Sequence, residues 1–128
     1  MPLLRLIIHP AADASTSERL TTRLTDLMAT ILAKKAELTS VLVECPVAPF
    51  WAIGTRRVTT SAMLEAAITA GKNTEAEKAA FIKEAYAVLR AELPSLDPVA
   101  YVILKEVSAE SWGYDGQTQA ARHSATAG

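Results

Sequence analysis

The same order of elements is written twice in this chain, and that repetition constrains the fold more than any single motif. Ser15 corresponds to Thr74, Glu18 to Glu77, Leu4 to Met63 and Leu42 to Tyr101, all at one constant offset, and Trp51 matches Trp112 within a small slip. In the first copy, Leu3 to Ile8 is a short apolar run rich in branched residues, which marks a strand, and Pro10 ends it. The stretch STSERLTTRLTDLMATILAKK then sets Leu20, Leu24, Leu27, Met28, Ile31 and Leu32 on one stripe of a helix. Ser15 and Glu18 stand at capping-box positions at its start, while Lys34 and Lys35 close the end where the helix dipole favours cations. LTSVLVEC reads as a second strand, and PVAPFWAIG as a loop or short hairpin centred on Trp51.

The second copy runs in the same order. TSAMLEAAI reads as a strand, AGKNTEAEKAAFIKEAYAVLRAEL as a helix with Thr74 and Glu77 in capping-box positions, and PVAYVILKEV as another strand before SWGYDG. Each strand-helix-strand crossover makes its two strands parallel. The expected fold class is α/β (α+β by some schemes): two tandem β-α-β units forming a four-stranded sheet with two helices on one face. One domain spans 1–120, its repeats covering about 1–58 and 59–120, and the small, polar segment 121–128 is expected to be a flexible tail. The strands are apolar on both faces while helices cover only one, so the bare face calls for a symmetric oligomer, here a homotrimer.

Composition removes several classes of partner. A formal charge of −1, with both signs interspersed, gives no electrostatic footprint for nucleic acid or for an anionic membrane. Cys45 is the only cysteine, which rules out an internal disulfide, agrees with a reducing compartment and suits a buried small hydrophobe. The chain lacks the features of a signal peptide and any apolar run of spanning length, so a cytoplasmic location is expected. No His, Cys and carboxylate spacing suggests a metal and no glycine-rich loop suggests a nucleotide, so no cofactor is expected. His9, just after the first strand, suits the surface.

The opening MPLLRLII, the helix-start motif AGKNTEAEK, and the segments SVLVECPVAPFWAIG and YVILKEVSAESWGYDG together resemble the tautomerase superfamily. The likeness is to the 4-oxalocrotonate tautomerase group in its fused, double-length form, and it covers the chain except for the tail. It implies a tautomerase (MIF-like) fold, a trimeric assembly and a small anionic organic acid as substrate. It also gives Pro2 a role. Once the initiator methionine is removed, the proline nitrogen is a free secondary amine, and family members use it as general base or acid in keto-enol tautomerisation. In some branches the same nitrogen serves hydration, dehalogenation or decarboxylation of small unsaturated acids. A free α-amino group has a reference pKa of roughly 7.7 to 8, and an apolar pocket or a nearby cation lowers it, so a neutral fraction at pH 7 is attainable. The repeat offset sets Ser61 opposite Pro2, inside the chain, where an amide nitrogen has no basicity.

The resemblance assigns further residues unevenly. The family's arginine at the helix start, which binds a substrate carboxylate, falls at Ala12 in the first copy and at Lys72 in the second, where the charge survives but the bidentate fork does not. The arginine on the following strand falls at Leu42 and Tyr101. The aromatic that walls the pocket is kept as Trp51 and Trp112, and Trp112, with Lys72, is the better placed for Pro2. Arg56 or Arg57, between the copies, would supply the missing anion contact; being adjacent, they diverge, and at most one faces a pocket. Tyr101 and Trp51 also suit plain packing. The expected site is thus Pro2 as catalytic group with Lys72, Trp112, Tyr101, Arg56 and Arg57 as substrate-binding candidates. The expected activity is isomerisation of a 2-hydroxy-dienoate or enol-pyruvate acid. The alternatives are a hydratase, dehalogenase or decarboxylase on the same site, or a non-catalytic trimeric binding protein.

Overall fold

In the computed structural model, the backbone is described for residues 2–127 and the side chains for residues 2–123; the expected loss of Met1 therefore lies outside the described residues. Strand β1 (Leu3–His9) is followed by helix α1 (Ala14–Leu32), a short 3-10 turn (Ala36–Leu38) and β2 (Ser40–Glu44). A hairpin of β3 (Ala52–Ile53) and β4 (Arg56–Arg57) leads into β5 (Ser61–Thr69), α2 (Glu75–Glu92) and β6 (Tyr101–Val107). A second hairpin, β7 (Gly113–Tyr114) with β8 (Gln117–Thr118), precedes helix α3 (Gln119–Ala127). The main sheet has the order β2-β1-β5-β6. Its outer pairs are parallel, as the crossovers require, and the central β1–β5 pair is antiparallel.

One core lies between the sheet and the two long helices. Leu4, Leu6 and Ile8 of β1 and Leu64, Ala66 and Ile68 of β5 meet Leu20, Leu24, Met28 and Leu32 of α1 and Phe81, Ala85 and Leu89 of α2. The expected α1 stripe is present, with Leu27 and Ile31 packed at its margin. Across the top of the helix pair, the Glu92 carboxylate accepts from Arg19 at 2.8 Å and Arg23 at 3.0 Å.

Four expectations need correction. The cap of α1 is Asp13, whose carboxylate accepts from the Thr16 N–H, so Ser15 lies inside the helix and makes no capping box with Glu18. Asp13 is an equally good capping residue placed two positions earlier, and it takes up a donor that Ser15 cannot reach from a helical turn. Helix α2 does carry the expected Thr74–Glu77 box.

The repeat offset changes with it. The buried series Leu4, Leu6, Ile8 is matched by Leu64, Ala66, Ile68, and Leu20, Leu24, Met28, Leu32 by Phe81, Ala85, Leu89, Leu93. Leu4 therefore corresponds to Leu64 rather than Met63, Leu42 to Ile103 rather than Tyr101, and Pro2 to Ala62 rather than Ser61. A one-residue slip in a strand moves every side chain to the opposite face, so burial decides the register where the sequence match does not. The hairpins obey the corrected register, and so do the bonds that close them: Val58 N–H to Trp51 C=O at 3.0 Å and Gln119 N–H to Trp112 C=O at 2.9 Å.

The stretch expected to be a flexible tail, 121–128, lies in α3 as far as Ala127. Its first turn is bonded down by Ala120 N–H to Ala109 C=O at 2.8 Å and by Ala121 N–H to Thr118 Oγ1 at 3.0 Å. The sheet face away from the helices is also less apolar than expected. Leu3, Leu42 and Tyr101 stand exposed on it, but so do the ion pairs Arg5–Glu44 and Lys105–Glu65, which cross neighbouring strands.

Candidate active site

Pro2 precedes Leu3, whose antiparallel partner on β5 is Ala67, so Pro2 sits beside the last residues of β5. Its C=O accepts from the Ser40 N–H at 3.1 Å, and its ring is buried on the core side with Leu4. A proline there donates nothing to the ladder, which suits the first position of a strand. The sheet end that holds Pro2 also holds Thr69, the last residue of β5, and the loop from Ala70 to Asn73 that follows it.

Trp112 reaches the same end. Its indole Nε1–H donates to Thr69 Oγ1 at 3.3 Å, which fixes the ring beside the terminus of β5. The hairpin behind it is a tight turn in which Asp115 and Gly116 both have positive φ, 50° and 75°, the backbone that an Asp-Gly pair supplies at little cost. Gly113 is required for closer reasons: a Cβ there would lie 1.9 Å from the Gln117 carbonyl oxygen. Glu110, Ser111, Trp112 and the hairpin line an open cavity of about 320 Å³; neither Pro2 nor Lys72 lines it.

Lys72 stands on the loop after β5, its Nζ 3.1 Å from His123 Nε2 on α3. Nearby Lys34, half-buried beyond α1, has its pKa pushed down, chiefly by burial, with the charge of Lys72 acting in the same direction and Glu77 opposing. Glu77 is held below the usual carboxylate range by the Thr74 N–H it caps.

The structure thus brings Pro2, Lys72 and Trp112 to one end of the sheet. Tyr101 lies at the other end, opposite Met63 near the start of β5 and exposed. Arg56 is there too, donating to Asp97 at 2.8 Å, while the Asp97 N–H bonds the Thr60 carbonyl. Arg57 diverges from it as expected and lies over the Phe50 ring, 5.2 Å from its centroid. Strand β5 between the two ends is nine residues long, or roughly 25 to 30 Å, so within one chain these three residues do not reach Pro2. Sequence reasoning missed His123, Thr69 and Gly113. Gly113 and the Asp115–Gly116 pair carried a hairpin signal, whereas nothing around His123 marks it.

No protein-family model matches the chain, nor does any curated protein. Solved structures do. A wild-type fused 4-OT symmetric trimer is 19% identical, with 94% of this chain and 98% of that chain covered at a TM-score of 0.83. Pt0534 inactivated by 2-oxo-3-pentynoate is 14% identical over the same shares, with a TM-score of 0.84. N1, a member of the cis-3-chloroacrylic acid dehalogenase family, is 17% identical at a TM-score of 0.78, covering 91% of this chain and 82% of its own. With two β-α-β units, one mixed four-stranded sheet and near-complete overlap with these structures, the chain has the tautomerase-superfamily fold in its fused, double-length form.

Proposed function

We propose that the protein is a cofactor-free tautomerase that converts a small enol acid, of the 2-hydroxy-dienoate or enol-pyruvate type, to its keto form. The observation that carries this reading is the placement of Pro2, Trp112 and Lys72 at one end of the sheet. With Met1 removed, the Pro2 nitrogen is a secondary amine set against apolar core, and neighbouring positive charge and desolvation both favour its neutral form. The neutral amine takes the proton of the substrate's enol hydroxyl, and electrons move from oxygen through the double bond to carbon. The ammonium so formed returns the proton to that carbon, giving the ketone and restoring the amine. Lys72 holds the substrate carboxylate by a charge-assisted bond, and Trp112 packs the chain of the substrate. Assembly as a homotrimer, supported by the likeness to a trimeric fused 4-OT and by the apolar groups on the open sheet face, would complete the site. The cytoplasm is the proposed location.

A second reading has its own support in the likeness to a protein of the cis-3-chloroacrylic acid dehalogenase family. On that chemistry a protonated Pro2 is the useful form, so the same residues would act in a different protonation state. The test is the absorbance change of 2-hydroxymuconate and phenylenolpyruvate on ketonisation, run with protein whose intact mass shows Pro2 as the first residue. Ketonisation no faster than in buffer for either enol, with turnover of 3-chloroacrylates, would replace the first reading by the second.

A further inference from the structure

The open face of the sheet carries its charges in a definite order. Alternation along the strands turns Leu4, Leu6, Leu64 and Ala66 to the helices, and with them Val43 and Leu104, so Arg5, Glu44, Glu65 and Lys105 all point the other way. Along the strand order β2-β1-β5-β6 these four read Glu44, Arg5, Glu65, Lys105, one from each strand and alternating in sign. Neighbours in the row are engaged: Arg5 pairs with Glu44 and stands opposite Glu65 in the β1–β5 register, and Glu65 pairs with Lys105 at 2.9 Å. Leu3 and Leu42 are exposed on one side of the row and Tyr101 on the other.

The row is a diagonal. Glu44 lies level with Ile7, Arg5 with Glu65, and Lys105 with Ala67, the partner of Leu3. From edge to edge it descends from the level of Ile7 to that of Leu3, roughly 13 Å, while crossing from β2 to β6, roughly 14 Å, so it slants across the strands at about 43°. Strands wrapped round an axis tilt against it by about 35 to 45°. The hand agrees as well. A right-handed crossover, the form such units take, puts β2 to the right of an upward β1 seen from the helices, and the row rises toward β2. Strands on a closed, right-twisted surface lean to the right as they rise when seen from outside. With the helices outside and the open face inward, the row therefore runs level round the axis.

We propose that this row selects the protein's assembly partner, a second copy of the same chain: around a ring of three, Lys105 on the β6 edge of one copy pairs with Glu44 on the β2 edge of the next, and the rows close into one belt of alternating charge. The two ends of the row carry opposite signs, as a head-to-tail ring requires; like signs would repel at every junction. Both ends have bonding capacity left. The Lys105 ammonium has three donors and its recorded partner is Glu65, and the Glu44 carboxylate can accept beyond its bonds with Arg5. The same closure covers Leu3, Leu42 and Tyr101 beside the belt, and charges bracketed by apolar surface fix register and partner more than they add affinity. The proposal rests on the trimer of the reading above and on none of its chemistry.

The test is native mass spectrometry of the wild type co-expressed with a full-length variant whose row is inverted, Glu44→Lys, Arg5→Glu, Glu65→Lys and Lys105→Glu together. The inversion keeps every pair within a chain and every junction between two inverted copies, but sets like charges together wherever an inverted copy meets a wild-type one. Trimers of one kind are expected, with mixed trimers below about a tenth of the total, against about three quarters when copies mix without preference. Where the inverted variant does not fold, Glu44→Gln and Lys105→Gln are measured singly and together through the concentration dependence of assembly. These residues sit on opposite edges of one sheet, too far apart to couple within a chain, so any coupling arises across a junction. Each should weaken association about threefold per junction, and the double variant no more than either alone. Mixed trimers at the share expected without preference, or independent effects of the two substitutions, would overturn the proposal and leave the trimer standing. A wild type that stays monomeric at micromolar concentration would overturn both.

Discussion

The indole nitrogen of Trp112 donates to the hydroxyl of Thr69 across 3.3 Å, joining the second hairpin to the strand end beside Pro2. Removing that bond without emptying the space, as in Trp112→Phe, should raise KM for an enol acid several-fold with a smaller effect on kcat. Stability should fall by about 0.5 to 1.5 kcal/mol, the usual net worth of one hydrogen bond. Steady-state kinetics and urea unfolding check both. An equal loss in kcat and kcat/KM would instead place the indole in the transition state.

Pro2→Ala replaces a secondary amine in a fixed ring by a more mobile primary one. Turnover should fall roughly 10²- to 10⁴-fold while the fold survives, because the substituted residue still offers its backbone carbonyl to Ser40. In the wild type, 2-oxo-3-pentynoate should add covalently to the free nitrogen, with the modified residue located by peptide mass spectrometry. Protein that retains Met1, whose Pro2 nitrogen is an amide, should be neither active nor labelled. Unchanged rates in Pro2→Ala would leave only a binding role.

Arg56 binds Asp97, and this contact foremost, aided by the Val99 N–H, holds the Asp97 carboxyl below its ordinary range. A carboxylate whose pKa is lower folded than unfolded contributes stability that is full above the unfolded value, roughly pH 4, and is lost as pH falls through the folded one. Arg56→Ala and Asp97→Asn should therefore each lower Tm by a few degrees at pH 7, and the gap from wild type should close as pH falls through the lowered folded-state value. The pH series of melting curves reads this directly. A large rise in KM in Arg56→Ala would show that another subunit brings this arginine to a substrate.

Gly113→Ala sets a methyl group against the Gln117 carbonyl oxygen, a contact the backbone must move to relieve. The hairpin should open, Trp112 and α3 should shift with it, and KM should rise more than in Trp112→Phe. The backbone amide shifts of Trp112 to Ala121 would report the movement. Unchanged shifts there would show that the hairpin adapts.

The long helix α1 was legible because burial on one face imposes a period that side chains must obey, and Leu20, Leu24, Met28 and Leu32 obey it closely, whereas β1 and β5 were legible as short apolar runs. The register of the repeat was not. Ser15 and Glu18 imitate a capping box two residues inside the true cap, and Met63 stands beside the residue that is buried, so matching by residue type slid the copies out of phase. Helix α3 was lost for a different reason: its small, polar residues form no apolar stripe, and it is held by backbone bonds to the hairpin. At the site, Pro2, Lys72 and Trp112 were readable one by one, but the separation of Arg56, Arg57 and Tyr101 from them depends on which sheet end each reaches, which topology alone reveals.

The segment carrying Lys72 is tied at three points. Gly71 N–H meets Glu106, the Asn73 side-chain amide donates to the Leu32 carbonyl at 3.0 Å, and Thr74 is locked to Glu77 in the capping box. Ordering a loop residue on binding costs about 1 to 2 kcal/mol of backbone entropy, a cost met here during folding. What an arriving anion still has to freeze is the flexible four-carbon stem of the lysine, and the imidazole across from it has already narrowed that freedom.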